Sequence, residues 1–396
     1  MDRHWLFITG MFRSGTTLVA IMCHNHRGMK VATDPLAHLF RAARNQVALR
    51  LRPGAQLDFA APMDDYYFSA EKAELLEAIL EGDFSERASG ENLAWLRENV
   101  NSTVQKFAPE LGAFPTDRLE QRTFAEAFGI AIDLVRRAAP GAEWPGFKQV
   151  WMGEFAEPLV RALPGGRVIH VVRDPRAVCA SKNVRDAKYP WLFMIRHWRK
   201  NVLMAWRAQQ RADPSQLVLR YEDVVRDPEA SARAICSFLK IDFDPKMIEA
   251  AEFRDGSGQT WNGNSSYQER ITTFDAGLAE KWRRVLKPEE LRLIEALCAP
   301  EMAAFGYELE SAPDPEESLR VLLDPPEIPI DELAAWIRPY ASPYTGFPQN
   351  QMSHELLRTE ALRHASAVPA SMQRLLFLQT EFFKEASAAS PVGHDV

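Results

Sequence analysis

FITGMFRSGTTLVA, residues 7–20, decides how the rest of the chain is read. An apolar run from Trp5 to Thr9 reaches Gly10, the loop Met11-Phe12-Arg13-Ser14-Gly15 follows, and Thr16 to Met22 has helical character. A strand, a glycine-bearing loop and a helix in that order put the backbone N–H groups around Ser14 to Thr17 at the positive end of a helix, where they bind an anion. Gly10 and Gly15 have the spacing of a phosphate-binding loop, but Thr16 stands where such a loop carries its lysine. Arg13 offers a fixed cation in its place. Taken alone, the segment is equally a glycine turn between a strand and a helix.

A second unit of the same kind breaks the tie. Arg167 to Val172 is a β-branched buried strand, and Asp174-Pro175 supplies an N-cap and first-turn proline for the next helix. In VVRDPRAVCASKNVR, Arg173 leaves the strand end, Ser181 lies eight positions later in the following helix, and Arg185 is four further on the same face. Arginine, hydroxyl and arginine beyond the carboxyl end of a parallel strand make a second anion pocket. Arg176, Lys182, Lys188, Arg196, Arg199 and Lys200 make the surroundings basic; the plain competitor is a solvated basic helix. A third strand, Gln216 to Tyr221, precedes a helix from Glu229 to Leu239 opened by Asp227-Pro228.

Strands alternating with helices predict an α/β fold with three layers like a P-loop domain, its central sheet mainly parallel. A helical insertion occupies about residues 40–145, with helix-like segments at Glu71–Leu80 and Thr123–Arg137. Residues 1–310 read as one domain and 311–396 as a C-terminal extension, proline-bearing and then helix-prone.

The 396 residues carry 46% hydrophobic and 26% charged side chains, which fits a globular protein with a large core. A net charge of −7 argues against nucleic acid as a partner. Cys23, Cys179, Cys236 and Cys298 form no CxxC pair, no apolar run reaches membrane-spanning length and no signal peptide is evident, so a soluble cytoplasmic protein is expected. His24 and His26 invite a metal, but residues two apart do not share a helix face and no other ligand cluster is present, so no metal is expected.

GMFRSGTTLV together with VIHVVRDPRAVCAS resembles the two signature segments of the sulfotransferase family, whose donor is 3′-phosphoadenylyl sulfate. The resemblance is closest to the branch with bacterial sulfotransferases and the tyrosylprotein sulfotransferases, in which arginine takes the place of Arg13, and it runs from about Leu6 to about Leu309. It implies that Arg13, Ser14, Gly15, Thr16 and Thr17 hold the 5′-phosphosulfate and that Arg173, Ser181 and Arg185 hold the 3′-phosphate, the product being 3′,5′-adenosine bisphosphate. The resemblance also implies why the loop does without a lysine: its ligand is a phosphosulfate. GFKQVW, residues 146–151, is similar to a segment whose lysine faces the transferring group, which implies that role for Lys148, although Phe147 replaces the usual aspartate. LRYEDVVRDPE looks like the strand and turn that support the nucleotide, giving Tyr221 a supporting place in the donor site, and KWRRVL matches a closing segment in which Trp282 packs. NGNSSY, residues 262–267, resembles a late serine-bearing loop, so that Ser265 or Ser266 contacts the 5′-phosphate or sulfate.

An alcohol acceptor needs a base, and in the arginine-loop branch a glutamate follows the arginine by twenty-one positions. Asp34 occupies that position, one methylene shorter, with N-capping of a helix from Pro35 as its plain alternative. His38 and His24 are the substitutes if Asp34 does not reach. The expected activity is sulfuryl transfer to a hydroxyl or amine of a small-molecule, carbohydrate, lipid or peptide acceptor. Trp95, Phe107, Phe114 and Tyr66-Tyr67-Phe68 either line the acceptor pocket or pack the core. Two rivals stand beside this reading: a P-loop kinase or nucleotidase, which lacks its lysine here, and a non-catalytic nucleotide-binding protein. The extension is open to covering the site, to pairing two subunits as a homodimer, or to neither.

Overall fold

A computed structural model describes residues 4–60, 73–186, 191–263 and 272–314, together with Glu355 and Arg358. The described residues fall into two compact units, one drawn from 4–60, 74–173 and 207–279 and the other from 174–206 and 280 onward.

The first unit is built on a sheet of five strands, β1 (Trp5–Gly10), β2 (Met29–Thr33), β3 (Trp144–Lys148), β4 (Gly166–Val172) and β5 (Gln216–Arg220), in the order β2-β3-β1-β4-β5. Every pairing is parallel. β1 is buried along its whole length because it lies between β3 and β4, whereas β5, paired on one side, is mostly half-buried. Two of these strands, β2 and β3, escape a reading from sequence. β3 is WPGFK, and proline and glycine argue against a strand on composition. Gly146 is nonetheless required, since a Cβ there would stand 2.2 Å from the Leu6 carbonyl oxygen of the neighbouring strand.

One face of the sheet carries the helices that intervene between β2 and β3: α2 (Ala37–Leu51), α3 (Ala73–Glu81), α4 (Gly90–Phe107) and α5 (Phe124–Ala138). α5 begins with a capping box in which Thr123 Oγ accepts from Glu126 N at 3.2 Å and Glu126 Oε2 accepts from Thr123 N at 2.7 Å. Phe40 of α2 locks this layer to the sheet, its ring 5.8 Å from Phe7, 4.7 Å from Phe128 and 5.1 Å from Phe155, centroid to centroid. That anchor fixes the start of α2, where Asp34 and His38 stand. A second apolar cluster joins α1 (Thr16–His24), α10 (Tyr221–Arg226) and α11 (Pro228–Leu239) through Val19, Met22, Val224, Ile235 and Leu239. α6 (Ala156–Ala162) leads into β4.

In the second unit, α7 (Pro175–Cys179) is capped by Asp174, whose carboxylate accepts from Arg176 N at 2.8 Å. α7 ends before Ser181, so Ser181 does not share a helix with the cap. Instead its carbonyl accepts from Val184 N and Arg185 N at the start of α8 (Lys182–Asp186). The basic run is no solvated face either. Arg176 is 4% exposed and bridges Asp174 and Glu295 of α12 (Pro288–Ala304), while its guanidinium lies 4.1 Å from the Trp282 ring centroid. Arg196 and Arg199, on α9 (Trp191–Gln210), meet Glu355, and Arg358 pairs with Glu301. The positive charge in this stretch is largely neutralised inside the unit. Lys188 lies outside the described residues.

Gly15 supplies a direct test of the loop. Its φ is +91°, and a Cβ would fall 2.2 Å from Tyr221 Cδ2, whereas Gly54 has a φ of +83° with open space around it. Denaturant unfolding of Gly15→Ala is expected to show a loss well beyond the ~1 kcal/mol that the left-handed backbone alone imposes on Gly54→Ala. Equal losses in the two variants would contradict the packing described.

Candidate active site

Parallel strands deliver their carboxyl ends to one edge, and the register sets the order along it. Ile8 pairs with Lys148, Lys148 with Thr33, Gly10 with Val171, and Val172 with Arg220. From β2 to β5 the edge therefore presents Asp34, Lys148, the loop after β1, Arg173 and Tyr221. The chain leaves β1 toward β2 on one side and leaves β4 toward β5 on the other, which opens a crevice between β1 and β4.

A cavity of about 760 Å³ occupies this edge, and its lining includes Arg13, Gly15, Thr16, Thr17, Asp34, Lys148, Arg173 and Tyr221. Arg173 donates to the Arg13 carbonyl at 3.0 Å and to the Leu278 carbonyl at 3.3 Å, and its guanidinium carbon is 4.1 Å from the Tyr221 ring centroid. The two signature segments thus touch. Ser14 N donates to the Met11 carbonyl at 3.0 Å, which removes it from the set of N–H groups expected to face an anion. Leu18 N donates to the Gly15 carbonyl at 2.9 Å, which leaves the N–H groups of Thr16 and Thr17, ahead of the first intrahelical bond, for that task. Ser14 Oγ is buried with no hydrogen-bond partner among the described residues.

Asp34 sits in the left-handed region at φ +47° and donates its N–H to the Lys148 carbonyl at 2.7 Å. Its carboxylate accepts from Lys148 Nζ, from Gln149 Nε2 at 3.3 Å and from Val150 N at 3.3 Å. Lys148 is 2% exposed and Asp34 21%. Asp34 does not cap α2, which begins at Ala37; the Leu36 N–H instead donates to Gln149 Oε1 at 3.0 Å. Arg13 at φ 72° and Trp151 at φ 70° also line the cavity, so three non-glycine residues hold left-handed backbone around one space. Strain of this kind costs of order 1–3 kcal/mol per residue and gathers at ligand sites.

His38 lines the same cavity, edge-on to Trp95 at 5.2 Å, and its Nδ1 has no hydrogen-bond partner among the described residues. Burial, and then the Arg41 charge, hold its pKa at about 4, so the ring is neutral at pH 7. His24 is absent from the lining. Its Nδ1 lies 3.1 Å from the Val31 carbonyl, and burial followed by Lys30 also holds it at about 4. His26 Nε2 lies 2.8 Å from the Asp242 carbonyl. Among the described residues no cluster of three or more His, Cys, Asp or Glu is placed to hold a metal, and no helix is long and apolar enough to cross a membrane.

Phe107 lines the cavity, Phe114 is core at 1% exposure, and Trp95 packs on His38 and Phe59. In the second unit, Arg185 lies 3.4 Å from both Glu290 carboxylate oxygens. Ser265, Ser266, Tyr66, Tyr67 and Phe68 lie outside the described residues. Sequence reasoning missed Arg41, Lys106, Gln149, Trp151 and Trp261, all of which line the cavity. Arg41 follows His38 by three on one helix and was within reach of a spacing argument. Lys106 arrives from a distant helix with no local signal.

The profile of the sulfotransferase family matches residues 6–245, which takes in the loop, Asp34, Lys148, Arg173 and Tyr221. This chain belongs to the sulfotransferase family. Among its relatives, carbohydrate sulfotransferase 3 of Homo sapiens is 32% identical over 187 residues, covering 39% of this chain and 36% of that protein. The Mus musculus counterpart is 30% identical over 178 residues, covering 39% and 37%. The chain thus spans little more than a third of the length of these relatives. Among solved structures, the sulfotransferase domain from the Synechococcus PCC 7002 olefin synthase aligns with a TM-score of 0.46 at 21% identity, over 77% of this chain and 95% of that one.

The two depressed histidines give the fold a pH signature. Unfolded histidine takes its proton near pH 6.5, whereas His24 and His38 in the fold do so near 4. Between those values the unfolded chain binds more protons, so stability falls as pH drops through that window. The loss of urea midpoint from about pH 7 to about pH 4.5 is expected to be smaller in His24→Asn and in His38→Asn than in the parent. An unchanged loss in both variants would show that neither ring is held neutral.

Proposed function

We propose that the protein moves a sulfuryl group from 3′-phosphoadenylyl sulfate to a hydroxyl or amine of an acceptor, releasing 3′,5′-adenosine bisphosphate. One observation carries the reading: Arg13, Lys148 and Arg173 line a single cavity at the amino end of α1, with Asp34 beside them, in a chain of the sulfotransferase family. The lining suits the donor. Among the described lining residues, Arg13, Lys148 and Arg173 bring guanidinium and ammonium groups to the space, the chemistry that grips a ligand bearing a phosphate at each end.

Arg13 and the first N–H groups of α1 hold the 5′-phosphosulfate, and Arg173, backed by Tyr221, takes the 3′-phosphate. Ser181, Arg185 and one of Ser265 and Ser266 join them on the sequence resemblance alone. As the acceptor oxygen bonds to sulfur, the bond from sulfur to the 5′-phosphate oxygen breaks and its electron pair stays on that oxygen. Lys148 and Arg13 stabilise the charge that grows there. Asp34 takes the acceptor proton, and protonation ends its attraction for Lys148 just as the leaving oxygen begins to compete for the ammonium. His38 is a second reading for the base, favoured by its neutral ring and unpartnered Nδ1 in the same cavity. The four buried free cysteines are compatible with a cytoplasmic setting. Carbohydrate hydroxyls are the first acceptors to try, given the relatives' names.

Thermal unfolding should shift upward with 3′,5′-adenosine bisphosphate and much less with ATP and magnesium; equal shifts would count against the donor. Arg173→Ala is expected to weaken bisphosphate binding by about tenfold or more, the scale of one charge-assisted contact. With labelled donor and a mixture of acceptors, Asp34→Asn should lower turnover by ~100-fold or more while bisphosphate binding stays within a few-fold. Undiminished turnover in Asp34→Asn, with loss in His38→Gln, would transfer the base to His38.

A further inference from the structure

Phe107 ends α4 with its ring in the open. Among the described residues the exposed large apolar side chains are Phe107, at 44%, and Leu309, and of the two Phe107 lines the cavity. A frayed helix end does not account for this exposure. Thr103 Oγ1, one turn back on the same face, donates to the Pro35 carbonyl at 2.9 Å. Ala108, the next residue, is buried, and its N–H donates to the Val104 carbonyl at 2.9 Å. Asn101 exchanges two hydrogen bonds with the Phe114 backbone, at 3.1 Å and 2.6 Å, so the chain beyond Phe107 is tied back to the helix. Lys106 Nζ lies 5.0 Å from the ring centroid and still leaves the ring at that exposure. The bond to Pro35 seats this end of α4 beside the turn that holds Asp34. Phe107 therefore belongs to the Asp34 side of the cavity, across the loop from Arg173 and the site assigned to the 3′-phosphate.

The hydroxyls beside the ring are committed as donors. Ser102 Oγ donates to the Asn99 carbonyl at 2.8 Å, as Thr103 Oγ1 does to Pro35. A hydroxyl has one proton, so these two cavity-lining side chains keep only their capacity to accept. An aromatic ring on a fixed mount, flanked by hydrogen-bond acceptors, suits a partner that has an apolar face and hydroxyls at its edge. We propose that Phe107 determines acceptor specificity by packing against the apolar face of a ring, sugar or aryl, that carries the hydroxyl to be sulfated. The assignment rests on the sulfuryl-transfer reading above and adds the acceptor's shape to it. With its ring against Phe107, the acceptor turns its edge toward the Asp34 turn, because Thr103 and Pro35 join the two. An open-chain polar acceptor has no flat face to cover the ring.

The test can be run before the acceptor is identified. A metabolite extract is passed over graphitised carbon, which retains molecules with ring faces and passes open-chain polar ones, and each fraction is incubated with purified protein and sulfur-labelled donor. The retained fraction is expected to yield most of the labelled product. As much or more from the flow-through would overturn the ring-bearing acceptor while leaving sulfuryl transfer standing; product from neither, in a protein that binds 3′,5′-adenosine bisphosphate, would remove the transfer reading and this assignment with it. Periodate, which cleaves vicinal diols, separates the two sources: loss of product after treatment assigns a sugar ring and survival an aryl ring, both consistent with the contact. In Phe107→Ala the apparent KM, read against dilution of the retained fraction, should rise by about fivefold or more with kcat and bisphosphate affinity within about twofold of the parent. Phe107→Tyr, which keeps the ring face, should return KM to the parent value, and Leu309→Ala should leave it there. An unchanged KM in Phe107→Ala would overturn the assignment, as would a loss of bisphosphate affinity, which would move the ring to the donor.

Discussion

The placement of β1 between β3 and β4 governs everything at the cavity. Because all three strands run the same way, the residues that leave their ends emerge at one edge, and the pairs Ile8 with Lys148 and Gly10 with Val171 hold Lys148 and Arg173 on either side of the loop. No flexible side chain has to search for these positions. A slip of one residue in β3 would turn Lys148 to the other face of the sheet and leave Asp34 without its partner.

Charge is managed differently in the two units. In the second unit the arginines are buried against carboxylates, as with Arg176 between Asp174 and Glu295, and such pairs hold structure together without presenting a field to solvent. At the cavity the described lining brings Arg13, Lys148 and Arg173 to one space, and the backbone is held in left-handed geometry at Arg13, Asp34 and Trp151. Strain of this kind costs stability. Its coincidence with those cations around one space suits a site that receives an anion.

Much of this was legible in the sequence where the signal is local. The loop from Gly10 to Thr17, the strand before Arg173, and the caps at Asp174 and Asp227 announce themselves through glycine spacing, β-branched runs and Asp-Pro pairs. β3 did not, because Pro145 and Gly146 obscure a strand that is held by its pairing with β1 and β2. The pairing of Lys148 with Asp34 and the arrival of Lys106 at the cavity that Arg41 also lines bring together residues far apart in the chain, so periodicity carries no trace of them. The helix expected to hold both Ser181 and its Asp174 cap breaks after Cys179, and no glycine or proline marks the break.

The most direct test of this account is a crystal structure of the protein with 3′,5′-adenosine bisphosphate. The account predicts the 5′-phosphate on the N–H groups at the start of α1 beside Arg13, with the 3′-phosphate at Arg173 and the nucleotide spanning the crevice between β1 and β4. A nucleotide bound elsewhere, or with its phosphates turned away from both arginines, would contradict it.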